Sequence, residues 1–307
     1  MNKNKEIYIG VDGGGTKTAI AAFDDTGACL ARTVCPPLNY HFIGVDAAVM
    51  HLRQGIEALN LDGMTVAAVG IGDPAIDDVS QGETAERFAS AARELLSAPV
   101  YIRSDAYMTL YALTDGCAPG VLVISGTGAM AIAEDAAGKI HVAGGWGRLT
   151  GDEGSGYEIG LCGIRAALRA ADGVAPPTPL TDAALVHFHC STPRALIDAF
   201  YGEDEPDVAG FARCVADCAE AGDTASVKIL QNTAQTLADY VSVLVDRSGA
   251  KTVGVYGSVL CRNRTVREEF EHVLRERLPQ IIVTEPPISA EAAAARYAEK
   301  QLKRGIE

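Results

Sequence analysis

Short apolar runs bounded by glycine, aspartate and threonine open the chain. Runs at 6–11, 18–23 and 28–34 are separated by a glycine-rich loop and by the polar turn 24–27. Apolar runs of this length with such boundaries are typical of strands joined by tight turns. The pattern therefore predicts three meandering β-strands, with unusually many glycines between the first two.

The same pattern returns about one hundred residues later. Strands are predicted at 120–124, 129–134 and 139–143, and the glycine loop 125–128 (SGTG) joins the first two. The fragments GVDGGGTKTAIAAFDDTG and VISGTGAMAIAEDAAG differ mainly in the length of that loop. An internal repeat of this kind predicts that one architecture is built twice.

The repeat continues through the later elements. A predicted strand at 65–71 corresponds to one at 252–256, and the strand-to-helix passage 98–113 corresponds to 278–303. Each half then has the order β-β-β-α-β-α-β-α, which predicts an α/β fold with a mixed sheet covered by helices.

Two domains are expected from these halves. The first lobe spans about 1–115 and the second about 116–288, with a helical insert at about 174–247. The terminal helix 289–307 is expected to pack back against the first lobe. A length of 307 residues is sufficient for two such domains.

Composition narrows the classes of partner and compartment. Lys and Arg number 26 against 40 Asp and Glu, a net charge of −14, which argues against nucleic acid or an anionic membrane as partner. No apolar run is long enough for a signal peptide core or a membrane span. Eight scattered cysteines without a CxxC pair indicate reduced thiols, so a cytoplasmic location is expected.

Both glycine loops have the composition of an anion-binding nest. Glycines let backbone amides approach an anion closely, and Thr16 and Lys17 add a hydroxyl and a cation to the first loop. Two related loops at equivalent places predict that one polyphosphate is held between facing hairpins. The motifs GxxxxGK[ST] and GxGxxG are absent, which disfavours a P-loop or Rossmann nucleotide site.

Two aspartates near the predicted strand ends are candidates for chemistry. Asp12 lies beside the first glycine loop, where a carboxylate would repel phosphate unless a divalent cation such as Mg²⁺ lies between them; the alternative is an aspartate that stabilises its own turn. Asp105 follows a strand and begins a helix, so it is either a helix N-cap, as Ser104 could equally be, or a general base for phosphoryl transfer to a hydroxyl.

A third glycine-rich segment, 144–156, contains the only tryptophan. Six glycines in thirteen residues exclude a stable helix or strand, so we expect a shaped loop leading into a helix at 157–170. Its amides, Asp152 and Glu153 could bind sugar hydroxyls. The alternative is a flexible lid. Trp146 argues against a lid, because we expect its large ring to pack against the protein.

Taken together, these motifs resemble the sugar kinase and actin superfamily, specifically its BadF/BadG/BcrA/BcrD branch, and within it the N-acetylglucosamine kinases. The matching segments are DGGGTKT (12–18), LNYHFIG (38–44), SDA (104–106), ISGTGA (124–129), GGWGRLTGDEGSGY (144–157), AGD (221–223) and GS (257–258). The resemblance implies a duplicated ribonuclease H-like (actin-like ATPase) fold, with two lobes, a mixed five-stranded sheet in each and a cleft between them.

The resemblance also implies an ATP-dependent amino-sugar kinase, with ATP and Mg²⁺ as cofactors and the sugar 6-hydroxyl as acceptor. Asp105 would be the base and Asp12 the metal ligand. Implied nucleotide-binding residues are Gly13, Gly14, Gly15, Thr16, Lys17, Gly126, Thr127, Gly128, Ala219, Gly257 and Ser258. Implied sugar-binding residues are Asn39, Asp105, Gly145, Trp146, Gly147 and Asp152.

Departures from the family pattern leave alternatives open. Gly72-Asp73-Pro74 replaces a Ser-Gly-Gly type of turn, and Ala129-Met130 replaces polar residues near the sugar, so N-acetylglucosamine, glucosamine and N-acetylmuramic acid all remain candidates. One rival function is an ATP-driven activator of a 2-hydroxyacyl-CoA dehydratase or benzoyl-CoA reductase, with a [4Fe–4S] cluster that bridges a dimer through Cys117 and Cys162 of each chain. Another is a nucleotide sensor without turnover. The oligomeric state is open, a homodimer included.

Overall fold

The computed structural model describes residues 5–14, 17–76, 83–203 and 205–305. Two compact units emerge from the packing of the chain. The first comprises Met1–Ala118 together with Pro286–Glu307, and the second comprises Pro119–Glu285. The first unit is therefore discontinuous in sequence, whereas the second is one uninterrupted segment.

A five-stranded mixed sheet forms the first unit. Its strands are β1 (Lys5–Gly13), β2 (Thr18–Asp24), β3 (Cys29–Cys35), β4 (Met64–Gly72) and β5 (Val100–Arg103). Their order in the sheet is β3-β2-β1-β4-β5, with antiparallel pairing across β1, β2 and β3 and parallel pairing across β1, β4 and β5. The meander predicted from the first apolar runs is confirmed.

Helices cover both faces of this sheet. They are α1 (Tyr40–Ile43), α2 (Val45–Glu57), α3 (Glu83–Leu96), α4 (Asp105–Thr114) and, from the end of the chain, α12 (Ala290–Arg304). Helix α2 buries Ala48 and Leu52 against Ile7 and Ile9 of β1. On another side, α12 packs on β1 and β4.

Close contact between α12 and the sheet depends on two glycines. A Cβ atom on Gly10 would overlap the carbonyl oxygen of Glu291, and one on Gly70 would overlap that of Ala294. The missing side chains let the helix backbone lie directly on the strands.

The second unit repeats the architecture. Its strands are β6 (Gly120–Ser125), β7 (Ala129–Glu134), β8 (Ile140–Gly144), β9 (Thr252–Tyr256) and β10 (Ile282–Thr284), in the order β10-β9-β6-β7-β8. Read from the other edge, this is the order of the first sheet, with each strand replaced by its counterpart. The predicted duplication of a mixed five-stranded sheet flanked by helices is confirmed.

Seven helices of the second unit surround its sheet in the described chain: α5 (Gly156–Ala171), α6 (Leu180–His187), α7 (Leu196–Tyr201), α8 (Ala212–Glu220), α9 (Thr224–Ser248), α10 (Ser258–Arg262) and α11 (Arg264–Arg277). The long helix α9 packs directly on β6, β7 and β8. It follows the three-stranded meander as α2 does in the first unit. The last part of the segment expected to be an insert is thus a helix that covers the sheet.

No helix among the described residues is both long enough and apolar enough to cross a membrane.

Candidate functional site

Three aspartates lie at the ends of the three parallel strands of the first unit. Asp12 is near the end of β1 and pairs in register with Gly72 at the end of β4. Gly72 pairs in turn with Arg103 at the end of β5. Asp73 and Asp105 follow these two strands within two residues, so all three carboxyl groups belong to one edge of the sheet.

Asp12 is half-buried in a region of negative potential. Burial, and then the charges of Asp105 and Glu291, raise the pKa of Asp12 to about 7, while Arg32 acts in the opposite direction. A cation close to Asp12 would offset both the burial and the repulsion.

The position of Asp12 fits a Mg²⁺ ion that is bound by one or two carboxylate ligands. The described residues contain no group of three or more His, Cys, Asp or Glu side chains that could hold a metal ion. Mg²⁺ usually takes only one or two protein carboxylates and completes its shell with phosphate oxygens and water. Asp12 is therefore suited to hold Mg²⁺ jointly with a bound phosphate.

Ser104, and not Asp105, caps helix α4. The Ser104 side chain accepts a hydrogen bond from the backbone N–H of Tyr107, at 2.9 Å, and has the extended backbone typical of an N-cap. Asp105 is the first helical residue, half-buried, with Oδ1 2.7 Å from the backbone N–H of Ala106. Of the two functions considered for Asp105, helix capping is thus performed by Ser104. Asp105 remains the candidate for the general base.

The first glycine loop begins against β4. A Cβ atom on Gly13 would lie 2.7 Å from the carbonyl oxygen of Gly72, so only glycine fits there. Gly14 and the exposed Lys17 flank the loop. The predicted phosphate-binding residues Gly15 and Thr16 lie outside the described residues.

Asn39 is buried just before α1. The next residue, Tyr40, donates a hydrogen bond from its hydroxyl group to the carbonyl oxygen of Ala75, at 3.0 Å. This bond ties the segment that carries Asn39 to the turn after β4. Asn39 and the three aspartates are therefore all positioned by the first unit.

The second glycine loop is fastened to the start of α5. Gly126 N–H bonds to Gly128 O at 2.9 Å, and Gly156 N–H bonds to Gly126 O at 2.7 Å. Ser125 Oγ, fully buried, donates to the carbonyl oxygen of Gly154 at 2.6 Å. The loop and the helix start form one rigid corner, with the Thr127 side chain exposed.

Asp152 holds the glycine-rich segment in place. Its carboxylate accepts hydrogen bonds from the backbone N–H groups of Gly147 and Ala129, and burial raises its pKa despite these bonds. The residue has φ +53°, a conformation rare outside glycine that costs free energy and is common at functional sites. Asp152 thereby joins the 145–147 loop to the second glycine hairpin.

The expectation that Trp146 packs against the protein is wrong. Its side chain is 78% exposed, as is most of the neighbouring loop. The loop is shaped by its backbone, since Thr150 and Gly151 both donate N–H bonds to Gly147 O and Thr150 Oγ1 donates to Trp146 O. The indole ring is therefore not needed to hold the loop.

A cavity of about 930 Å³ opens beside the second glycine loop, entirely within the second unit. Its wall includes Gly126, Thr127, Gly156, Asp207, Arg213, Ala216, Asp217, Glu220, Ser258, Arg262 and Asn263. The volume falls in the range of small-molecule and cofactor sites. Predicted phosphate-loop residues and the predicted adenosine-side residue Ser258 thus line one cavity.

Gly257 and Ala219 are the other two residues predicted to lie beside the adenosine. Gly257 has φ +92°, and a Cβ atom there would overlap Ser125 O, so it lets α10 begin against the glycine loop. The side chain of Ala219 is buried in the hydrophobic core, while its neighbours on helix α8, Ala216, Asp217 and Glu220, lie on the cavity wall. Nucleotide binding by the stretch around Ala219 stays a prediction.

An iron–sulphur activator would require a thiolate at Cys162. The Cys162 thiol instead donates a hydrogen bond to Glu158 Oε1 at 3.1 Å, and burial raises its pKa to about 11. Cluster ligands are deprotonated thiols. The surroundings of Cys162 therefore do not fit that function.

Asp73 is the residue of this site that sequence reasoning missed. In the sequence it marks only a departure from a Ser-Gly-Gly turn. The sequence did contain a signal. Asp73 directly follows the buried strand β4, which is parallel to β1, and functional residues often lie just after the carboxyl ends of parallel strands.

Comparison with known proteins agrees with this architecture. An N-acetyl-D-glucosamine kinase of Dictyostelium discoideum is 33% identical over 262 residues, which cover 80% of this chain and 81% of the relative. An N-acetylmuramic acid/N-acetylglucosamine kinase of Clostridium acetobutylicum is 27% identical and covers 90% of this chain and 92% of the relative.

A solved structure has the same fold. The crystal structure of a provisionally named N-acetylglucosamine kinase from Chromobacterium violaceum superposes with a TM-score of 0.75 at 24% identity, over 96% of this chain and 99% of that one. The predicted fold and the predicted resemblance to N-acetylglucosamine kinases are both confirmed. The profile of one family matches residues 9–295, nearly the whole chain, and the chain therefore belongs to the BadF/BadG/BcrA/BcrD ATPase family.

Proposed function

We propose that this protein is an ATP-dependent amino-sugar kinase, which transfers the γ-phosphoryl group of ATP to the 6-hydroxyl of N-acetylglucosamine or a close relative. The observation that carries the proposal is that Ser104, and not Asp105, is the N-cap of α4. Ser104 caps the helix, so the Asp105 carboxylate stands at the strand edge without capping it. Family membership and the named relatives support the same reaction class.

Asp105 would act as general base in this reaction. It accepts the proton of the acceptor hydroxyl as the sugar oxygen bonds to the γ-phosphorus. The bond between that phosphorus and the bridging oxygen breaks, and ADP leaves. Asp12 would hold Mg²⁺ with the phosphates, and the bound ion would supply positive charge to the transferred group.

Nucleotide binding falls to the second unit in this proposal. The amides of Gly126 and Gly128 and the hydroxyl of Thr127 would contact phosphate, and the 930 Å³ cavity beside them would take the adenosine. Ser258 lies on the wall of that cavity, and Gly257 lets helix α10 begin directly against the second glycine loop. In the first unit, Gly13 to Lys17 would add a second phosphate contact.

Asn39 and Asp105 from the first unit, and Asp152 with residues 145–147 from the second, would bind the sugar. Asp152 has its carboxylate engaged with backbone amides, which fixes its orientation toward a ligand. Met130 packs beside Gly145 in place of a polar residue. The relatives are named for N-acetylglucosamine, N-acetylmuramic acid and glucosamine, so these sugars define the panel to test.

We also propose that the enzyme works in the cytoplasm. All eight cysteines are free thiols, five of them buried or half-buried, which suits a reducing compartment. The acidic net charge disfavours nucleic acid and anionic membranes as partners. Light scattering on the purified protein would show whether it is a monomer or a homodimer.

A coupled ADP-release assay tests the proposed activity. Purified protein with MgATP is given N-acetylglucosamine, glucosamine, N-acetylmuramic acid or glucose, and ³¹P NMR identifies the phosphorylated position of the product. We expect ADP release stimulated by at least one amino sugar well above glucose, with a 6-phosphate product. Nucleotide binding without sugar-stimulated ADP release would overturn the kinase in favour of a sensor, and a brown, iron-containing protein would favour the activator.

A further inference from the structure

Asp73 joins the ends of β4 and β5 and lies next to the end of β1. Its backbone N–H donates to Arg103 O at 3.1 Å, which ties it to the end of β5 two residues before Asp105. Its Oδ1 accepts the N–H of Ala75 at 2.8 Å, and its carbonyl accepts the N–H of Ile76 at 3.1 Å. These bonds fix the turn and hold the carboxyl group in one orientation.

The second carboxyl oxygen of Asp73 has no such bond. The residue is fully buried, and Oδ2 has no hydrogen-bond partner among the described residues. It points toward the first glycine loop, because a Cβ atom built on Gly13 would lie 3.6 Å from it. A turn formed for its own sake needs only Oδ1, so the buried, unpartnered Oδ2 requires another explanation.

The charges of Asp73 and Asp105 are coupled. The pKa of Asp73 is raised to about 7, first by burial and also by the charge of Asp105, whereas the Ala75 hydrogen bond lowers it. The charge of Asp73 also raises the pKa of Tyr40, in α1. Because Coulombic repulsion between two carboxylates is mutual, a charged Asp73 also disfavours the charged form of Asp105.

We propose that Asp73 is a positioning residue for the proposed phosphoryl transfer, whose negative charge favours the arrival of the substrate proton on Asp105. This inference rests on the proposed function. Asp73 has no exposed surface, so it would act on the reaction through Asp105 and not by direct contact with a substrate. Since the proton moves only as the new bond forms, the charge affects the transition state and leaves substrate binding almost unchanged.

The decisive variant is Asp73→Asn. Its side-chain oxygen can still accept the Ala75 N–H, so the turn persists while the charge is lost. At pH 8, above the pKa of Asp73, we expect kcat for the best sugar to fall about three- to tenfold, with KM for sugar, ATP and Mg²⁺ each within about twofold of wild type. Asp62→Asn removes one charge from an exposed turn of the same unit and is expected to match wild type.

Each outcome has a distinct meaning. Wild-type kcat in Asp73→Asn, with loss only in Asp73→Ala, would show a turn-forming function and overturn the proposal. A large rise in KM for the sugar would make Asp73 a binding residue and would also overturn it. If Asp73→Asn does not fold, Asp73→Ser offers a hydroxyl acceptor for the same turn and tests the same loss of charge. Failure of the proposed function is separate, because wild type itself would then show no sugar-stimulated ADP release.

Discussion

Arg32 Nη2 lies 2.8 Å from Glu291 Oε1, so an ion pair joins strand β3 to the first turn of the C-terminal helix α12. The two ends of the pair differ in environment: the Arg32 side chain is 58% exposed, whereas that of Glu291 is 5% exposed. Removing the arginine therefore leaves a carboxylate buried without this cation, whereas removing the carboxylate leaves an arginine that water can solvate.

We expect the two halves of this pair to differ in their effect on stability. Arg32→Ala should lower the free energy of unfolding by about 1–3 kcal/mol, less than for a fully buried pair because water reaches the guanidinium. Glu291→Gln should cost less than Arg32→Ala. Urea unfolding followed by circular dichroism measures both, and a larger loss for Glu291→Gln would contradict the assignment of the buried charge to Glu291.

The close packing of helix α12 on strands β1 and β4 gives a second prediction. Gly10→Ala and Gly70→Ala place a methyl group into the helix backbone, so each should lower stability by about 1–3 kcal/mol or more as α12 is displaced. Gly305→Ala is the matched control, because a Cβ atom there would be 3.6 Å from its nearest neighbour. Thermal unfolding should separate the two groups, and equal midpoints for all three variants would argue against close packing of the helix.

The proposed base gives a third prediction. Asp105→Asn should reduce sugar-dependent turnover by about 10²–10⁴-fold, since the amide cannot accept the proton. Nucleotide affinity should be retained, because the proposed adenosine cavity is formed entirely by the second unit. Isothermal titration with ADP and the ADP-release assay measure the two properties separately.

Ser104→Ala serves as its structural counterpart. It removes the N-cap of α4 and should lower stability by about 1 kcal/mol while it retains a measurable rate. Near-normal turnover in Asp105→Asn would exclude the assignment of the base.

The raised pKa values of Asp12 and Asp73 give a fourth prediction, in which stability depends on pH. Both are about 7 in the folded protein against an ordinary value of 3.8, so between these values the folded state binds more protons than the unfolded state. Stability should then fall as the pH rises from about 4 to about 7, by at most ~1.4 kcal/mol per pH unit for each acid.

Thermal unfolding of metal-free protein at pH 5 and pH 7.5 measures this dependence. Asp73→Asn should make the stability less dependent on pH, because only Asp12 then remains to release a proton on unfolding. The variant should also be more stable than wild type at pH 7.5. A slope unchanged by the substitution would show that the Asp73 carboxyl does not titrate in this range.

Much of the fold follows from patterns local enough to be visible in the sequence. The meander at 6–34 and its copy at 120–143 were predicted because short apolar runs alternate with glycine and aspartate turns, and each strand ends close to its predicted limit. The function of α9 was not apparent, because a helical period shows one apolar face and does not show which sheet that face covers.

The site was predictable where a motif marks it and not where packing decides it. Asp12 and Asp105 stand out beside a glycine loop and a strand-to-helix turn. Asp73 does not, since its importance comes from strand order and from complete burial, and neither can be read from Gly-Asp-Pro. Trp146 shows the same limit, because the sequence around it does not show whether the ring packs against the protein or faces solvent.

The discontinuity of the first unit has a consequence for biosynthesis. During translation, Pro119–Glu285 emerges from the ribosome as a complete segment and can fold while synthesis continues. The sheet of the first unit is made earlier but is completed only by residues 286–307, because until α12 is made the backbone of Gly10 and Gly70 lies uncovered. A nascent chain stalled before α12 would therefore expose this sheet to proteases and chaperones.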